Sequence, residues 1–443
     1  MAWVMQRIWT APAWPNAPPR GRAGAPVAGP SGARARAPMT TDSPEKSRWG
    51  AVVVAVVAGM IAASHLGKLP PSLPVLRAEL GLDLVFGGWV VSVFGAVGAA
   101  LGVAAGSLAD RIGHRRLTMI GLGFLAAGST FGGLADTGAA LLASRFAEGL
   151  GFLSIVVAAP SLIATAAKGR DRRLALGIWS AYMPASITLV LLVAPALLSA
   201  AGWRGIWWAL AGVSVLWIGA VALVVPSPAP RSTDSRPPAS LVSNVRLTVG
   251  RPGPWLLAVC FPFYTLQWMA LMVWLPTFLV EERALGLGAA AALSALVVAV
   301  NVPGNIVAGW LMRRGARHWL LIAIGAAAMG VSALGIFSPA LSDGLRYGLC
   351  LAFSGLGGFL PAAVLSGAPV FSPSPDQLGT TNGLLMQGSN LGQFVGPPAL
   401  AAVVTASGTW NSAAWLMCGA AAAAVVLAIC IRAIENRLAI ARA

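Results

Sequence analysis

The sequence predicts an all-α polytopic membrane protein: twelve transmembrane helices in two pseudo-symmetric six-helix bundles. Three observations predict it. Of 443 residues, 57% are apolar and only 10% are charged, against about 25% charged in an ordinary soluble domain. Twelve stretches of mostly apolar residues recur along the chain, each near the roughly 20 residues that a bilayer crossing needs. The one long polar interior segment, from Pro226-Ser227-Pro228 to Pro254, divides them six and six.

Charge excludes further classes. Lys and Arg number 30 against 14 Asp and Glu, a formal net charge of +16. A nucleic-acid binder gathers its basic residues on one polar face. Here they stand between apolar runs, so no nucleic-acid partner is expected. With 52 Gly, 31 Pro and 17 Trp, the partner is the lipid bilayer. Cys260, Cys350, Cys418 and Cys430 each lie inside an apolar run without a CxxC pair. They read as small hydrophobes, not as zinc ligands or disulfides, and no metal is expected.

In chain order, residues 1–48 are rich in Pro, Ala, Gly and Arg and read as a disordered tail. They lack the apolar h-region of a signal peptide. Met39 opens a polar lead-in to the first span and is expected to be the true start. Spans follow at about 50–75, 85–107, 117–135, 139–165, 173–199 and 206–225, filling an N-terminal bundle over 49–226. A linker covers 227–254 and is rich in proline. Spans at about 255–280, 288–312, 318–338, 345–368, 379–406 and 410–432 fill a C-terminal bundle over 255–433, and 434–443 form a short tail. Pro70, Pro71 and Pro74 leave the far boundary of the first span open. Trp49, Trp203, Trp207, Trp255, Trp319 and Trp410 fall near span ends and read as interface anchors.

Orientation follows from the loops, because basic residues accumulate on the cytoplasmic side. With both termini inside, inner segments hold 24 of the 30 Lys and Arg, and outer segments hold five: Lys68, Arg77, Arg204, Arg283 and Arg346. Arg145 lies within a span. The inner segment around Ser372-Pro373-Ser374-Pro375-Asp376 carries no basic residue and is the exception.

Several positions carry chemistry. Arg145 and Glu148 stand three apart in the fourth span, so they share a helical face and can neutralise one another. An ionisable residue inside a span is a functional candidate, although a purely structural ion pair fits as well. Ser64, His65 and Lys68 lie in the first span at a similar depth. His65 is either a titrating group or a buried imidazole bonded to a carbonyl; Lys68 either joins the cluster or snorkels to the surface. Tyr264, Gln267, Trp268, Leu271 and Trp274 make a mixed aromatic and polar stripe on one face of the seventh span, suited to a cavity wall or to a packed interface. Asn301 with Asn305, and Gln387 with Asn390, are amide pairs on single helix faces. They touch substrate or glue helices together. Gly98, Gly102 and Gly106 in the second span, and Gly388, Gly392 and Gly396 in the eleventh, repeat every four residues. Such ladders allow close helix approach.

Between the second and third spans stands Gly106-Ser107-Leu108-Ala109-Asp110-Arg111-Ile112-Gly113-His114-Arg115-Arg116. This resembles the signature loop of the major facilitator superfamily, Gly-x-Leu-Ala-Asp-Arg-x-Gly-Arg-Arg, departing only at His114. Gly309-Trp310-Leu311-Met312-Arg313-Arg314-Gly315 echoes it at the equivalent point of the second half, without the Asp, as expected of repeated halves. Arg145-Phe146-Ala147-Glu148-Gly149-Leu150-Gly151 resembles the family's Arg-x-x-x-Gly-x-Gly motif. The Gly-Pro-x-x-Gly-Gly mark of its drug antiporters is degraded here to Met183-Pro184-Ala185-Ser186-Ile187. Trp274-Leu275-Pro276-Thr277-Phe278 and Gln387-Gly388-Ser389-Asn390 resemble bacterial members of the cyanate and nitroimidazole transporter type.

The resemblance implies two bundles rocking about a central site. It implies that Gly106, Asp110, Arg111, Gly113 and Arg115 form a gating loop, with Asp110 latched onto the start of the eleventh span near Gly379-Thr380-Thr381-Asn382. The family's first, fourth, seventh and tenth helices line the cavity. This nominates His65, Arg145, Glu148, Tyr264, Gln267 and Trp268, with Ser354, Gly355, Gly357 and Gly358 placed to kink or gate the tenth. It implies that the two glycine ladders meet as a sliding contact between the halves; packing within each half is the alternative. The expected function is proton-coupled secondary transport of a small polar or anionic organic solute across the bacterial inner membrane, by a monomer that is not an enzyme. No Walker loop, HExxH or GxSxG occurs, and no cofactor is expected. Drug efflux is the alternative transport activity. A non-transporting sensor is the alternative of another class, disfavoured by the lack of an appended cytoplasmic domain.

Overall fold

A polar joint interrupts the first span. One helix covers Trp49–Gly67, Lys68 forms the joint, and a second helix covers Leu69–Leu80. The computed structural model describes residues 47–226, 246–373 and 377–442. The tail with Met39, most of the linker and residues 374–376 lie outside the described residues. Pro70 falls in the first turn of the second piece, where its missing N–H costs nothing. The prolines therefore do not end span one, which continues to Leu80, beyond the expected boundary.

Span two covers Leu84–Ile112, and Asp83 caps it by accepting a hydrogen bond from the Phe86 amide at 2.6 Å. Span three covers His114–Gly133. Span four covers Gly138–Ala166, capped by Thr137, whose hydroxyl accepts from the Ala140 amide at 3.2 Å. Such caps satisfy amides that the first helical turn leaves free. Span five begins as Gly169–Ser180 and resumes at Tyr182. It runs without a loop into span six, which ends at Val224. The corner between them is Gly202, at φ 65°, a conformation that a side chain would strain.

Span seven covers Pro252–Glu281 and takes in the last residues expected of the linker. Span eight is broken, Leu287–Ala299 then Asn301–Arg313. Span nine covers His318–Ile336. Span ten is broken at Gly358, Asp343–Gly357 then Phe359–Phe371. Span eleven covers Leu378–Ser407 and span twelve Ala413–Arg442, the latter running through the stretch expected to be a tail. The breaks in spans eight and ten face each other. A Cβ on Gly358 would lie 2.8 Å from the Asn301 carbonyl, and the Gly304 backbone packs onto that of Gly355.

Among the described residues, nine helical segments are long and apolar enough to cross a membrane. One of them, 182–224, turns at Gly202 and holds two passes. Spans three and eleven, each at least 20 residues long, complete the twelve. The chain is thus an all-α polytopic protein of two six-helix bundles.

Alternate spans run in opposite directions, so the molecule has a near end, where span one begins, and a far end. At the far end Arg204 bonds the Glu79 carboxylate and, at 3.1 Å, Asp136, while the Trp203 indole donates to Glu79 at 2.7 Å. At the near end Glu435 accepts from the amides of His318 and Trp319 and contacts the His318 ring at 3.0 Å. Trp203, Trp207 and Trp410 are buried. They are core residues, a correction to the interface role expected of them: Trp203 and Trp207 pack edge-to-face on one another and Trp410 packs on Phe278. Trp49 and Trp255 remain exposed.

The halves meet most closely where span two runs beside span eleven. From the far end inward, Gly88 packs on Pro397 and Pro398, the Trp89 ring lies 5.3 Å from that of Phe394, and Gly95 and Gly98 pack on Asn390. Beyond this point a Cβ added to Gly102, Gly379 or Gly383 would meet no neighbour within 4 Å. Among the described residues, the close contacts of the seam lie toward its far end.

Candidate functional site

Spans one and four supply a fully buried cluster of charged side chains. His65, Lys68, Arg145 and Glu148 are each 0% exposed. The joint at Lys68 places His65 at the end of one helical piece and Lys68 at the start of the next. The three-residue spacing in span four puts Arg145 and Glu148 on one face. Lys68 Nζ donates to Glu148 Oε1 at 2.6 Å, Arg145 Nη1 donates to Glu148 Oε2, and His65 Nδ1 lies 3.2 Å from Oε1. One carboxylate therefore serves two cations and an imidazole. Burying charge is tolerable only with such pairing.

Neighbouring spans complete the shell. Arg145 Nη1 also donates to the His65 carbonyl at 2.8 Å, and its guanidinium stacks 4.1 Å from the Phe94 ring of span two. Arg145 Nη2 has no hydrogen-bond partner. Lys68 Nζ donates to Ser129 Oγ of span three at 2.8 Å and sits 4.1 Å from the Trp207 ring of span six. His65 Nε2 lies 3.1 Å from Ser214 Oγ, also of span six. Ser64 Oγ and Ser186 Oγ of span five are 2.8 Å apart.

The structure brings His65, Lys68, Arg145 and Glu148 together, and of the two alternatives for Lys68 it shows the cluster. That residue neither snorkels nor belongs to an outer segment. Nor does His65 use a backbone carbonyl; its partners are a carboxylate and a hydroxyl. Sequence reasoning missed Ser129, Ser214 and Trp207. The signal available was a serine in the middle of spans three and six, which by itself is common.

The C-terminal half holds a second group. Asn301 Nδ2 donates to Tyr264 Oη at 3.2 Å and to the Ser354 carbonyl at 2.8 Å. Trp268 Nε1 donates to Ser354 Oγ at 3.3 Å. Asn305 Nδ2 reaches the Asn301 side-chain oxygen at 2.9 Å. Gln267 is fully buried, donates to the Phe263 carbonyl at 2.8 Å, and leaves its Oε1 without a partner. Spans seven, eight and ten thus form an amide and aromatic wall. Trp274 is elsewhere: its indole donates to the Pro397 carbonyl at 2.9 Å on the seam.

Gln387 and Asn390 lie on the seam with span two, where Gln387 Nε2 reaches the Ala99 carbonyl at 3.5 Å and Asn390 covers Gly98. The glycine ladders do not meet. A Cβ on Gly388, Gly392 or Gly396 would strike Ala258, Pro262, Thr265 or Leu266 of span seven. The span-eleven ladder packs within its own bundle, and among the described residues a Cβ on Gly102 would meet nothing within 4 Å. This corrects the expected glycine-on-glycine contact: spacing announces a groove but does not name what fills it. In the loop after span two, Gly113 takes φ 87° and Arg115 Nη2 donates to the Ala222 carbonyl at 2.6 Å. The side chains of Gly106, Asp110 and Arg111, and with them the expected latch, lie outside the described residues.

The Major Facilitator Superfamily model matches residues 50–397. The chain belongs to the major facilitator superfamily. This transporter family accounts for the twelve spans and for a chain that is not an enzyme. The fold is similar to that of a bacterial homologue of the human lysosomal transporter Spinster, solved inward-facing and unoccupied. The TM-score is 0.74 at 17% identity, covering 89% of this chain and 98% of that one. Among curated relatives, the multidrug efflux pump LfrA of Mycolicibacterium smegmatis is 31% identical over 212 residues, 46% of this chain and 41% of that protein. The methyl viologen resistance protein SmvA of Salmonella typhimurium is 26% identical over 238 residues, 54% of this chain and 46% of that one. An uncharacterised MFS-type transporter of Mycobacterium tuberculosis is 28% identical over 225 residues, 51% of this chain and 31% of that protein. The chain spans less than half the length of these relatives.

Proposed function

We propose that this superfamily member is a proton-coupled secondary transporter, moving a small polar organic solute across the bacterial cytoplasmic membrane by alternating access, with both termini in the cytoplasm. The observation that carries the reading is the cluster on Glu148: titratable groups from two spans share one carboxylate in an apolar interior. Such residues are expensive in a membrane and mark proton or solute pathways. The close packing of Gly88, Gly95 and Gly98 on span eleven toward the far end supports a far-end-closed state of a rocking cycle.

The solute site is assigned to the wall of Tyr264, Gln267, Trp268, Asn301 and Asn305, a few polar groups set among aromatic surface. Lys68 and Arg145 are both bonded to Glu148, so the uncharged wall favours hydrogen-bonding solutes over bare anions. A second reading, drug efflux, is favoured by the names of the multidrug efflux pump LfrA and the methyl viologen resistance protein SmvA, while the degraded proline motif of span five speaks against it. Proteoliposomes under an imposed pH gradient test both. Flux of small neutral amides supports the first reading, flux of methyl viologen supports the second, and no flux across the panel defeats both.

A further inference from the structure

Arginine collects where spans eight, nine and twelve reach the near end. Residues 313–317 and 432–437 carry Arg313, Arg314, Arg317, Arg432 and Arg437 against one acid, Glu435. Helical spacing would let Glu435 pair with Arg432, three residues back, but its carboxylate turns to span nine. There it accepts from the His318 and Trp319 amides and contacts the His318 ring. Among the described residues, no carboxylate forms an ion pair with Arg313, Arg314, Arg317 or Arg432.

Tryptophan holds two of these cations instead. The Arg314 guanidinium stacks 3.8 Å from the Trp310 ring, and that of Arg432 stacks 4.9 Å from the Trp319 ring. Stacking engages the face of a guanidinium and leaves its N–H edge for a phosphate. Arg317 Nη1 donates to Asn436 Oδ1 at 2.6 Å. Asn436 stands four residues after Arg432, so Arg317 docks on the same face of span twelve, one turn from Arg432. The Trp319 indole N–H is shielded and has no acceptor. A shielded donor beside two cations points to an acceptor that the protein does not supply. From this edge toward the far end, spans nine and twelve turn Leu320, Ile324, Val426 and Ile429 outward. A cationic edge joined to exposed apolar helix fits an amphiphile with an anionic head.

We propose that the near-end junction of spans nine and twelve binds an anionic phospholipid, with its phosphate on Arg317 and Arg432 and its chains along Leu320, Ile324 and Ile429. A free phosphate shares the head chemistry, but the outward apolar residues assign the lipid. A general excess of basic residues on one side of the membrane orients a chain and asks for no particular arginine. This site does: it needs the two guanidinia that Asn436 and Trp319 hold together. The inference goes beyond the transport reading and does not depend on it.

The test uses the full-length protein in detergent, offered equal amounts of phosphatidylglycerol and phosphatidylcholine with identical chains. Lipid that stays bound through gel filtration is counted by mass spectrometry. Phosphatidylglycerol is expected to be retained over phosphatidylcholine, and equal retention overturns the proposal. Arg317→Gln and Arg432→Gln are each expected to weaken phosphatidylglycerol binding about fivefold, the factor one basic residue contributes at an anionic lipid surface; unchanged binding in both overturns it. Arg246→Gln, exposed at the near end but outside this junction, is expected to leave binding unchanged. An equal loss there would show a diffuse field and overturn the site. Glycerol phosphate, which lacks chains, is expected not to be retained; retention equal to that of phosphatidylglycerol would assign the site to a free anion and overturn the lipid. If either variant does not fold, the comparison of the two lipids on the unmodified protein still decides.

Discussion

Gly98 of span two sits directly against the side-chain amide of Asn390 in span eleven: a Cβ on residue 98 would come within 2.5 Å of Asn390 Nδ2. One helical turn further toward the near end, a Cβ on Gly102 would have nothing within 4 Å. The two glycines share a ladder but have different surroundings. Gly98→Leu is expected to force the far end apart, and Gly102→Leu to leave this state intact while blocking closure of the near end. Cysteine-accessibility labelling from each side of the membrane checks this: the two variants should shift labelling in opposite directions, and both should lower flux.

Arg77 Nη1 donates to Glu281 Oε1 at 2.7 Å, tying span one to span seven across the halves. The side chains are 21% and 41% exposed, and pairs of this kind contribute about 0–1 kcal/mol. Arg77→Ala or Glu281→Ala is therefore expected to change the melting temperature little. Labelling of far-end cysteines should rise in each single variant and return in the charge-swapped double variant. Equal labelling in all four proteins would remove the pair from gating.

Glu148→Gln leaves two buried cations without an anion. Breaking a buried pair from one side costs roughly 3–5 kcal/mol, so a large loss of melting temperature in detergent is expected. Adding Lys68→Met to Glu148→Gln removes one of the stranded charges and should recover part of the loss. A double variant no more stable than the single one would show that Lys68 is not balanced by Glu148.

Gly392→Val places a side chain where Thr265 Oγ1 and the Pro262 carbonyl already stand. The overpacking falls inside the C-terminal bundle, and such strain typically costs about 1–3 kcal/mol or more. The expected signature is reduced stability without a shift in which side of the protein is open. The same labelling assay separates this from the effects at Gly98 and Gly102.

The spans and their halves were legible because apolar length is a strong signal; similar depth made His65 and Lys68 candidates to meet Arg145 and Glu148, but left Lys68 open between the cluster and the surface. What filled the glycine grooves was not legible. Gly388, Gly392 and Gly396 declare a smooth face, but only helix rotation decides that it meets span seven and not span two. Ser129 and Ser214 were overlooked because a lone serine in an apolar run usually bonds its own helix. Each does so or reaches a nearby carbonyl here, while its oxygen also accepts from the cluster. Trp207 was misread for a related reason: proximity to a span end resembles anchoring unless the facing residue is known to be Lys68.

Arg204 gathers Glu79, Asp136 and, by stacking, Trp203 into one corner of the far end, all within a single bundle. In the proposed rocking cycle that corner would travel as a unit, while the Arg77–Glu281 contact spans two bundles. An antibody fragment raised against the first surface would report how much protein is present and stay indifferent to the cycle. One straddling the second would act as a sensor of the turnover itself.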